Sequence, residues 1–205
     1  MKFIALIALV LAASISLAQD DKSGLAKPKE VKEGASRLER IEAAMTNRII
    51  DQSDEWFGKG DYPRAIAGLK FRIEFEPRDY EAQTDYIWML GNIRDKEAEI
   101  AAAKRYHQMV PDDPDAWFPE GQIYFMRRDY VNAIPPLAKA CSFDKPAQPN
   151  AYRLLAQCYK RQKMYQKAIE VWERMLKHFP NDSAAKKNLE QAKQDLAGGG
   201  KKASV

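Results

Sequence analysis

The sequence has few of the residues that support catalysis, metal binding or a covalent framework. It contains two cysteines and two histidines in 205 residues. These do not form the clustered ligand spacing of a zinc site, and there is no Gly-rich phosphate loop or nucleophile motif. Ten glycines and eleven prolines exclude a collagen-like chain. We therefore predict no enzymatic activity, no metal and no cofactor.

An excess of one charge sign is also missing. There are 33 Lys and Arg residues against 29 Asp and Glu residues, which gives a net charge of +4. The two signs are interspersed, whereas a nucleic-acid-binding protein clusters its basic residues on one face. A hydrophobic content of 45% excludes a wholly disordered chain. We expect a folded protein that does not bind nucleic acid.

A long hydrophobic run occurs only at the N-terminus. Lys2 is followed by 16 uncharged residues from Phe3 to Ala18, with small residues at Ser16 and Ala18. This pattern is typical of a secretory signal peptide cleaved after Ala18. The run is shorter than the ~20 residues of a membrane-spanning helix. We predict export to the periplasm or the extracellular space; an uncleaved leader that tethers the protein to a membrane is the alternative.

The rest of the chain divides into three parts by composition. Residues 19–35 are rich in charged residues and glycine and predict a flexible leader, and residues 198–205 predict a disordered basic tail. Residues 36–197 read as helical throughout, because no stretch alternates polar and apolar residues over the length of a strand. Ser36 and Glu39 have the spacing of a capping box at the first helix.

The helical region repeats itself with a period of about 34 residues. Two sets of equivalent positions, which we call columns, show the period. The first column is Asp61, Asp95, Asp129 and Met164, and the second is Pro77, Pro111, Pro146 and Pro180; each contains one spacing of 35 residues. A mostly small column holds Ser53, Ile87, Gly121 and Ala156. Small residues allow two helices to approach closely, and an aspartate at the start of a helix can cap it. One extra residue between Ser142 and Pro146 accounts for the spacing of 35.

This pattern resembles the tetratricopeptide repeat (TPR) family. The third and fourth units carry the resemblance best, through Trp117, Gly121, Tyr124, Tyr130, Ala133, Leu137, Ala140, Tyr152, Leu155, Ala156, Tyr159, Tyr165, Ala168, Met175 and Pro180. The first two units depart from it at Arg72, Ile87 and Glu99. The resemblance implies an all-α, right-handed solenoid of about four helix-turn-helix units at residues 46–79, 80–113, 114–148 and 149–182. A capping helix follows at residues 183–197.

Two consecutive prolines interrupt the third unit. Pro135 and Pro136 lie well inside a predicted helix, where each removes a backbone donor at a cost of about 3 kcal/mol. Two interpretations remain open: a kink that bends the whole stack, and a tolerated bend on the solvent-facing convex side.

The TPR resemblance also implies a concave binding surface made by the first helix of each unit. The predicted protein-binding residues are Trp88, Phe118, Gln122, Phe125, Met126, Arg153, Gln157, Lys160, Arg161 and Lys187. They predict a surface that is aromatic in its middle and basic toward the C-terminal end. The expected partner is a peptide or protein segment with an apolar centre and an acidic end. The alternative is that these are ordinary repeat residues on a solvated face.

The two cysteines fall in neighbouring helices of the predicted stack. Cys141 is late in the second helix of the third unit, and Cys158 is in the first helix of the fourth. Since an exported protein meets an oxidising compartment, they form a candidate disulfide. Two buried reduced thiols that act as small hydrophobic residues are the alternative.

These features predict an exported, non-enzymatic scaffold for protein-protein interactions, within a bacterial envelope assembly. Two other functions remain open. One is a membrane-tethered assembly factor with an uncleaved leader. The other is a binder of an anionic polymer such as nucleic acid or envelope polysaccharide, whose affinity would collapse with salt.

Overall fold

The computed structural model describes residues 29–201, with side chains through residue 198. Within this range the chain forms nine α-helices, one 3-10 turn and no strand. The predicted all-α solenoid is confirmed. The elements are α1 Arg37–Gly58, α2 Tyr62–Phe75, α3 Tyr80–Asn92, α4 Lys96–Met109, the 3-10 turn Pro114–Trp117, α5 Phe118–Met126, α6 Tyr130–Ala140, α7 Pro149–Arg161, α8 Tyr165–His178 and α9 Ser183–Lys201.

Helices pair in chain order, two to a unit. The first helices are α1, α3, α5 and α7, and each packs against the second helix that follows it, α2, α4, α6 or α8. The first helix after each unit also contacts the second helix before it, and α9 closes the C-terminal end on α8. Each helix therefore buries its apolar stripe only against near neighbours in the chain, as expected of a repeat array.

Side-chain caps start most helices where the sequence predicts them. The Ser36 hydroxyl accepts a hydrogen bond from the Glu39 backbone N–H at 3.2 Å, and the Glu39 carboxylate accepts one from the Ser36 N–H at 2.7 Å. Three column aspartates cap the second helices: Asp61, Asp95 and Asp129. The fourth member of that column, Met164, provides no side-chain cap.

The turn within each unit has a second periodic feature. Gly60, Arg94, Arg128 and Lys163 have φ angles of 75°, 63°, 61° and 58°. This left-handed conformation favours glycine, yet only the first unit has a glycine at this position. The following residue donates its N–H to a carbonyl five residues back, as Asp95 does to Leu90 at 3.1 Å. This bond satisfies a carbonyl that the helix end would otherwise leave unpaired.

The third unit is less regular than the others. Its first helix begins with the 3-10 turn, so that α5 starts only at Phe118. Its second helix, α6, ends at Ala140, and the connection to α7 spans residues 141–148. The corresponding connections elsewhere are residues 76–79, 110–113 and 179–182. The extra residue of the third unit therefore lies in this long connection, as predicted.

Both prolines of the third unit lie within α6, which is a single helix from Tyr130 to Ala140. Pro135 is exposed, as expected for a bend on the solvent side, but Pro136 is buried. The solvent-side interpretation is therefore wrong for Pro136. Consecutive helical residues point in directions about 100° apart, so two adjacent prolines do not share one solvent-facing side.

The C-terminal half holds the largest core. One buried cluster runs continuously from Phe118 through α6, α7 and α8 to Ala192 on α9. The N-terminal half has three smaller clusters, centred on Leu69, Ile87 and Tyr106. Hydrophobic stabilisation follows buried apolar area. The fourth unit and its cap are therefore the best-packed part of the stack.

The residues that depart from the TPR pattern have specific partners. Arg72 is 5% exposed and forms an ion pair with Asp79, while its Nε and Nη1 atoms lack hydrogen-bond partners. Glu99 pairs with Arg127 of the next unit. Ile87 packs with Ala103 and Ile123. A charged or large residue is thus accommodated where the pattern expects a small one.

The predicted ends differ from the structure in two places. Lys29, in the predicted flexible leader, is fixed by Asn47: its N–H donates to Asn47 Oδ1 at 2.6 Å, and its carbonyl accepts from Asn47 Nδ2 at 3.1 Å. Its ammonium group pairs with Glu76. The final helix continues to Lys201, past its predicted end at residue 197, because its backbone hydrogen bonding extends through the glycines. The signal peptide and residues 202–205 of the tail lie outside the described residues.

None of the helices in the described part of the chain is long and apolar enough to cross a membrane.

Candidate binding surface

The structure brings together three of the predicted binding residues. Trp88, Gln122 and Met126 line one pocket of approximately 360 Å³ between α3 and α5, together with Thr84. Trp88 is 50% exposed and Met126 is 74% exposed. Large apolar side chains of successive first helices thus face solvent side by side. We call Trp88, Gln122 and Met126 the central patch.

Aromatic contacts extend the central patch toward the first unit. The Phe57 ring lies 5.9 Å from the Trp88 ring and 5.8 Å from the Tyr62 ring, with tilted planes in both pairs. Such tilted contacts are a favoured arrangement of aromatic rings. They hold Trp88 in place without burying it, because half of its surface remains exposed.

Two other predicted residues are less accessible. Phe118 is only 4% exposed and belongs to the large C-terminal core, so its assignment to the binding surface is wrong. A phenylalanine ring gains more free energy in a core than on a solvated face. Phe125 is half-buried, with its ring edge-on to Tyr130 at 5.5 Å. The exposed apolar area therefore comes from Trp88 and Met126.

The basic end of the predicted surface is present but partly neutralised. Gln157, Lys160 and Arg161 line a pocket of approximately 500 Å³ next to Asn188 of α9. The Lys160 ammonium lies 2.7 Å from the Asp195 carboxylate. The Arg161 guanidinium lies 5.8 Å from the centre of the Tyr130 ring. Lys160 therefore helps to attach α9 as well as contributing positive charge.

Arg153 is also engaged within the protein. It pairs with Asp182, the residue before α9, and donates to Asn150 Oδ1 at 2.8 Å. A hydrogen bond from the Ala185 N–H and the Arg153 guanidinium hold the pKa of Asp182 below its ordinary range. The Lys160 ammonium lowers the pKa of Asp195 in the same way. Both carboxylates stay ionised at neutral pH and cancel part of the predicted basic charge.

Lys187 and Arg161 are exposed cations at this end, as are Lys163 and Lys186. The sequence places Lys187 on the capping helix, and the structure confirms that it lies on the exposed side of α9. Exposed cations contribute to attraction at long range more than to affinity.

His107 packs within the stack. Its Nε2 lies 2.9 Å from Glu120 Oε2, and its ring stacks on Trp117 with centres 4.0 Å apart. The Lys104 ammonium lies 3.8 Å from the other oxygen of Glu120. No group of three metal-ligating side chains occurs among the residues that the structure describes. The contacts of His107 are those of a packed side chain at the edge of the core.

The two cysteines are separate, buried thiols. Cys141 follows the last residue of α6, and Cys158 lies within α7. The candidate disulfide is therefore not formed in the structure. Both side chains instead act as small hydrophobic residues in the C-terminal core. Burial raises the pKa of each thiol to about 12, which leaves little thiolate for exchange reactions.

A large apolar pocket lies outside the predicted surface. It occupies approximately 940 Å³ between α1 and α2 at the N-terminal end of the stack, and we call it the α1–α2 groove. Ile41, Met45, Ile49 and Trp56 line one wall of this groove at helical spacing, and Phe71 lies on the opposite wall. The helical spacing of these residues is visible in the sequence. Their exposure is visible only in the structure, where no other described segment packs against the groove.

Comparison with known proteins supports the fold. Residues 92–175, less than half of the chain, match the family model of the anaphase-promoting complex (cyclosome) subunit 3. No curated protein is significantly similar to the chain in sequence. Similar solved structures include a MamA protein, with a TM-score of 0.56 and 22% identity over 75% of this chain and 83% of that one. Another is MamA from Desulfovibrio magneticus RS-1, starting at residue 41, with a TM-score of 0.51 and 19% identity over 75% and 92% of the two chains.

Proposed function

We propose that the chain is a scaffold that binds a peptide or protein segment across its concave surface. The observation that carries this proposal is the central patch, in which Trp88 and Met126 from successive first helices are exposed beside one shared pocket. Aromatic and methionine side chains are enriched at protein interfaces. The pocket also offers the Gln122 amide for orienting a bound backbone. The Thr84 hydroxyl can only accept there, because it donates to carbonyls of its own helix.

The proposed partner segment is apolar at its centre and acidic at one end. Its apolar part contacts Trp88 and Met126, and its acidic end lies toward Arg161 and Lys187 of the fourth unit and the cap. Opposite charges at the rim of an interface raise the association rate and fix the orientation of the partner. Arg153 and Lys160 contribute less than the sequence suggests, since each pairs with an aspartate near or within α9.

We also propose that the protein is exported and acts in a bacterial envelope assembly. The support is the sequence of residues 1–18, whose basic start, uncharged run and small residues are typical of a signal peptide. N-terminal sequencing of the protein from its native host tests this: a mature chain that starts at Gln19 supports export. A chain that starts at Met1 and fractionates with membranes supports the tethered alternative.

Selection from a random peptide library on the immobilised full chain tests the binding proposal. We expect the selected peptides to have an apolar centre and acidic residues at one end. Trp88→Ala and Met126→Ala should each weaken their binding roughly tenfold, because each removes an anchor side chain. Val131→Ala, an exposed apolar residue on α6, is the matched control and should leave affinity unchanged.

Three results would contradict this function. One is a selection that enriches no peptide family. Another is a set of peptides that bind equally well to Trp88→Ala and Met126→Ala. The third is tight binding of DNA or a sulfated polysaccharide that falls steeply with salt and ignores both substitutions, which would indicate an anionic-polymer binder.

A further inference from the structure

The α1–α2 groove is an apolar face at one end of an otherwise closed stack. Ile41, Met45 and Phe71 are 46%, 38% and 51% exposed, although all three are large apolar residues. Contiguous exposed apolar surface of this kind usually marks an interaction site. At the other end, α9 buries Ala185, Leu189 and Ala192 against the fourth unit. The chain thus covers one end of its stack with a helix but leaves the other end uncovered within the described residues.

The other units show which helix lies beside this face. In the second unit, the equivalents of Arg64, Ala67, Gly68 and Phe71, 34 residues later, are Ala98, Ala101, Ala102 and Arg105. These residues of α4 share a small pocket with Lys70, Ile73 and Glu74 of the preceding second helix, α2. In the second unit, the preceding second helix therefore lies beside this face, although Ala101 and Arg105 remain exposed.

The fourth unit repeats the same arrangement. Lys167, Glu170, Val171 and Arg174 of α8 occupy the equivalent positions. They share a pocket with Ala138 and Cys141, at the end of the preceding second helix α6. Two other copies of this face in the chain thus have a second helix beside them. A helix in the same position beside α1 and α2 would continue the repeat.

The open copy differs from the two other copies in one informative residue. In those copies an arginine contacts the preceding helix: Arg105 pairs with Glu74, with its Nη2 at 2.7 Å, and Arg174 donates to the Cys141 carbonyl at 2.9 Å. In the first unit the equivalent residue is Phe71. An occupant of the α1–α2 groove is therefore held by apolar contact at this position.

The charge of the groove restricts the occupant further. Its lining contains two basic residues, Arg48 and Arg64, and no acidic one. Arg64 also contacts Asp61 at 3.2 Å. A second copy docked by the same face across a two-fold axis would bring arginines toward arginines, which is unfavourable. In the chain's own leader the uncharged run of residues 3–18 has no acid within it, and the only acids before residue 29, Asp20 and Asp21, follow that run and do not flank it on both sides. Acidic side chains beside an apolar stripe fit best.

We infer that the α1–α2 groove binds an amphipathic helix of a partner protein, whose apolar stripe is flanked by acidic residues. The second helices α2, α4 and α8 each have 14 residues, which sets the length of the bound helix. Its apolar stripe packs on Ile41, Met45 and Phe71, and its acidic residues face Arg48. This site is separate from the central patch, so either can exist without the other.

Two synthetic 16-residue helical peptides test the inference on the full chain. Both carry the same leucine stripe; one flanks it with glutamate and the other with lysine. We expect the glutamate peptide to bind at least fivefold tighter and to shift the methyl NMR signals of Ile41 and Met45. Met45→Glu should weaken binding at least tenfold, since it places a charge in the apolar stripe. Arg48→Glu should reverse the preference between the peptides.

Two controls separate this site from other surfaces. Val131→Glu, an equally conspicuous exposed apolar residue on α6, should leave binding unchanged. Trp88→Ala should also leave it unchanged, and a loss of binding there would assign the peptide to the central patch.

Several outcomes would overturn the inference. Equal affinity for the two peptides, or binding that survives Met45→Glu, would exclude a charge-matched helix in the groove. Methyl contacts between Met45 and residues 3–18 of the same chain would show that the leader fills it. A concentration-dependent dimer that Met45→Glu abolishes would show that a second copy does.

Discussion

At the scale of single residues, helix spacing within a unit depends on one small side chain. A Cβ added to Gly121 would lie 2.4 Å from Leu137 Cγ and 2.7 Å from Leu137 Cδ2. Leu137 is fully buried, so it has no room to yield. The close approach of α5 and α6 therefore requires glycine at this position.

Gly121→Ala should destabilise the protein by about 1–3 kcal/mol, because the added methyl overpacks the core. Urea unfolding measures the change. Gly58→Ala is the matched control, since a Cβ there meets nothing within 4 Å. We expect that control to be neutral or slightly stabilising. Equal stabilities of the two variants would show that α5 and α6 separate at little cost.

At the scale of the element, the capping helix α9 is attached by two aspartates. Asp182 accepts the Ala185 N–H at 2.8 Å and pairs with Arg153, and Asp195 pairs with Lys160. Each interaction favours the ionised carboxylate, and the pKa of each group is held below its ordinary value of 3.8. Protonation of these two carboxylates at acid pH should therefore weaken the attachment of α9.

The sign of this linkage is fixed by the direction of the pKa shift. A carboxyl with a lowered pKa in the folded state stabilises the protein above its unfolded pKa, and this contribution is lost as the pH falls through the folded pKa. We expect the urea midpoint to fall as the pH drops below 3.8. Asp182→Ala should lower the midpoint at pH 7 and flatten its acid dependence.

Asp144→Ala, an exposed aspartate in the connection between α6 and α7, serves as the control. It should leave the acid dependence unchanged. An Asp182→Ala protein that loses stability with acid as steeply as the parent would show that other carboxylates control the transition.

Features that depend on local contacts within one repeat could be predicted from the sequence, and features that depend on packing between elements could not. The caps at Asp61, Asp95 and Asp129 follow from a local hydrogen bond, so the sequence predicts them directly. The burial of Phe118 depends on the 3-10 turn before α5 and on the core beyond it, which are tertiary properties. The loss of free charge at Arg153 and Lys160 required knowledge of where α9 docks. Solvent exposure of the α1–α2 groove could not be predicted either, because it depends on where every other described segment packs.

At the scale of the whole molecule, stability is uneven along the stack. The core cluster from α5 to α9 is continuous, whereas the first two units hold separate small clusters. In a repeat array each unit is stabilised by its own packing and by its neighbours. The first unit has a neighbour on one side only within the described residues.

Hydrogen exchange should therefore show the slowest amides in α7 and α8 and the fastest helical amides in α1 and α2. Regions with fewer buried apolar contacts open with a smaller free energy. Mass spectrometry of the exchanging full chain measures this gradient. The glutamate-flanked peptide should slow exchange in α1 and α2 first. Uniform protection along all the helices would show that the stack unfolds as one cooperative unit.

One hydrogen bond links the start of α3, in the second unit, to Gln148, the N-cap residue of α7. The Gln148 amide donates to the Tyr80 hydroxyl at 2.7 Å across 68 residues, and the Gln148 N–H donates to Asp115 at 2.8 Å. The starts of the first helices in units two, three and four are thereby connected. Any bending of the stack that separates these three helix starts must stretch or break the two hydrogen bonds. Units two to four should therefore move together as one rigid segment, and the first unit should move relative to that segment with a larger amplitude.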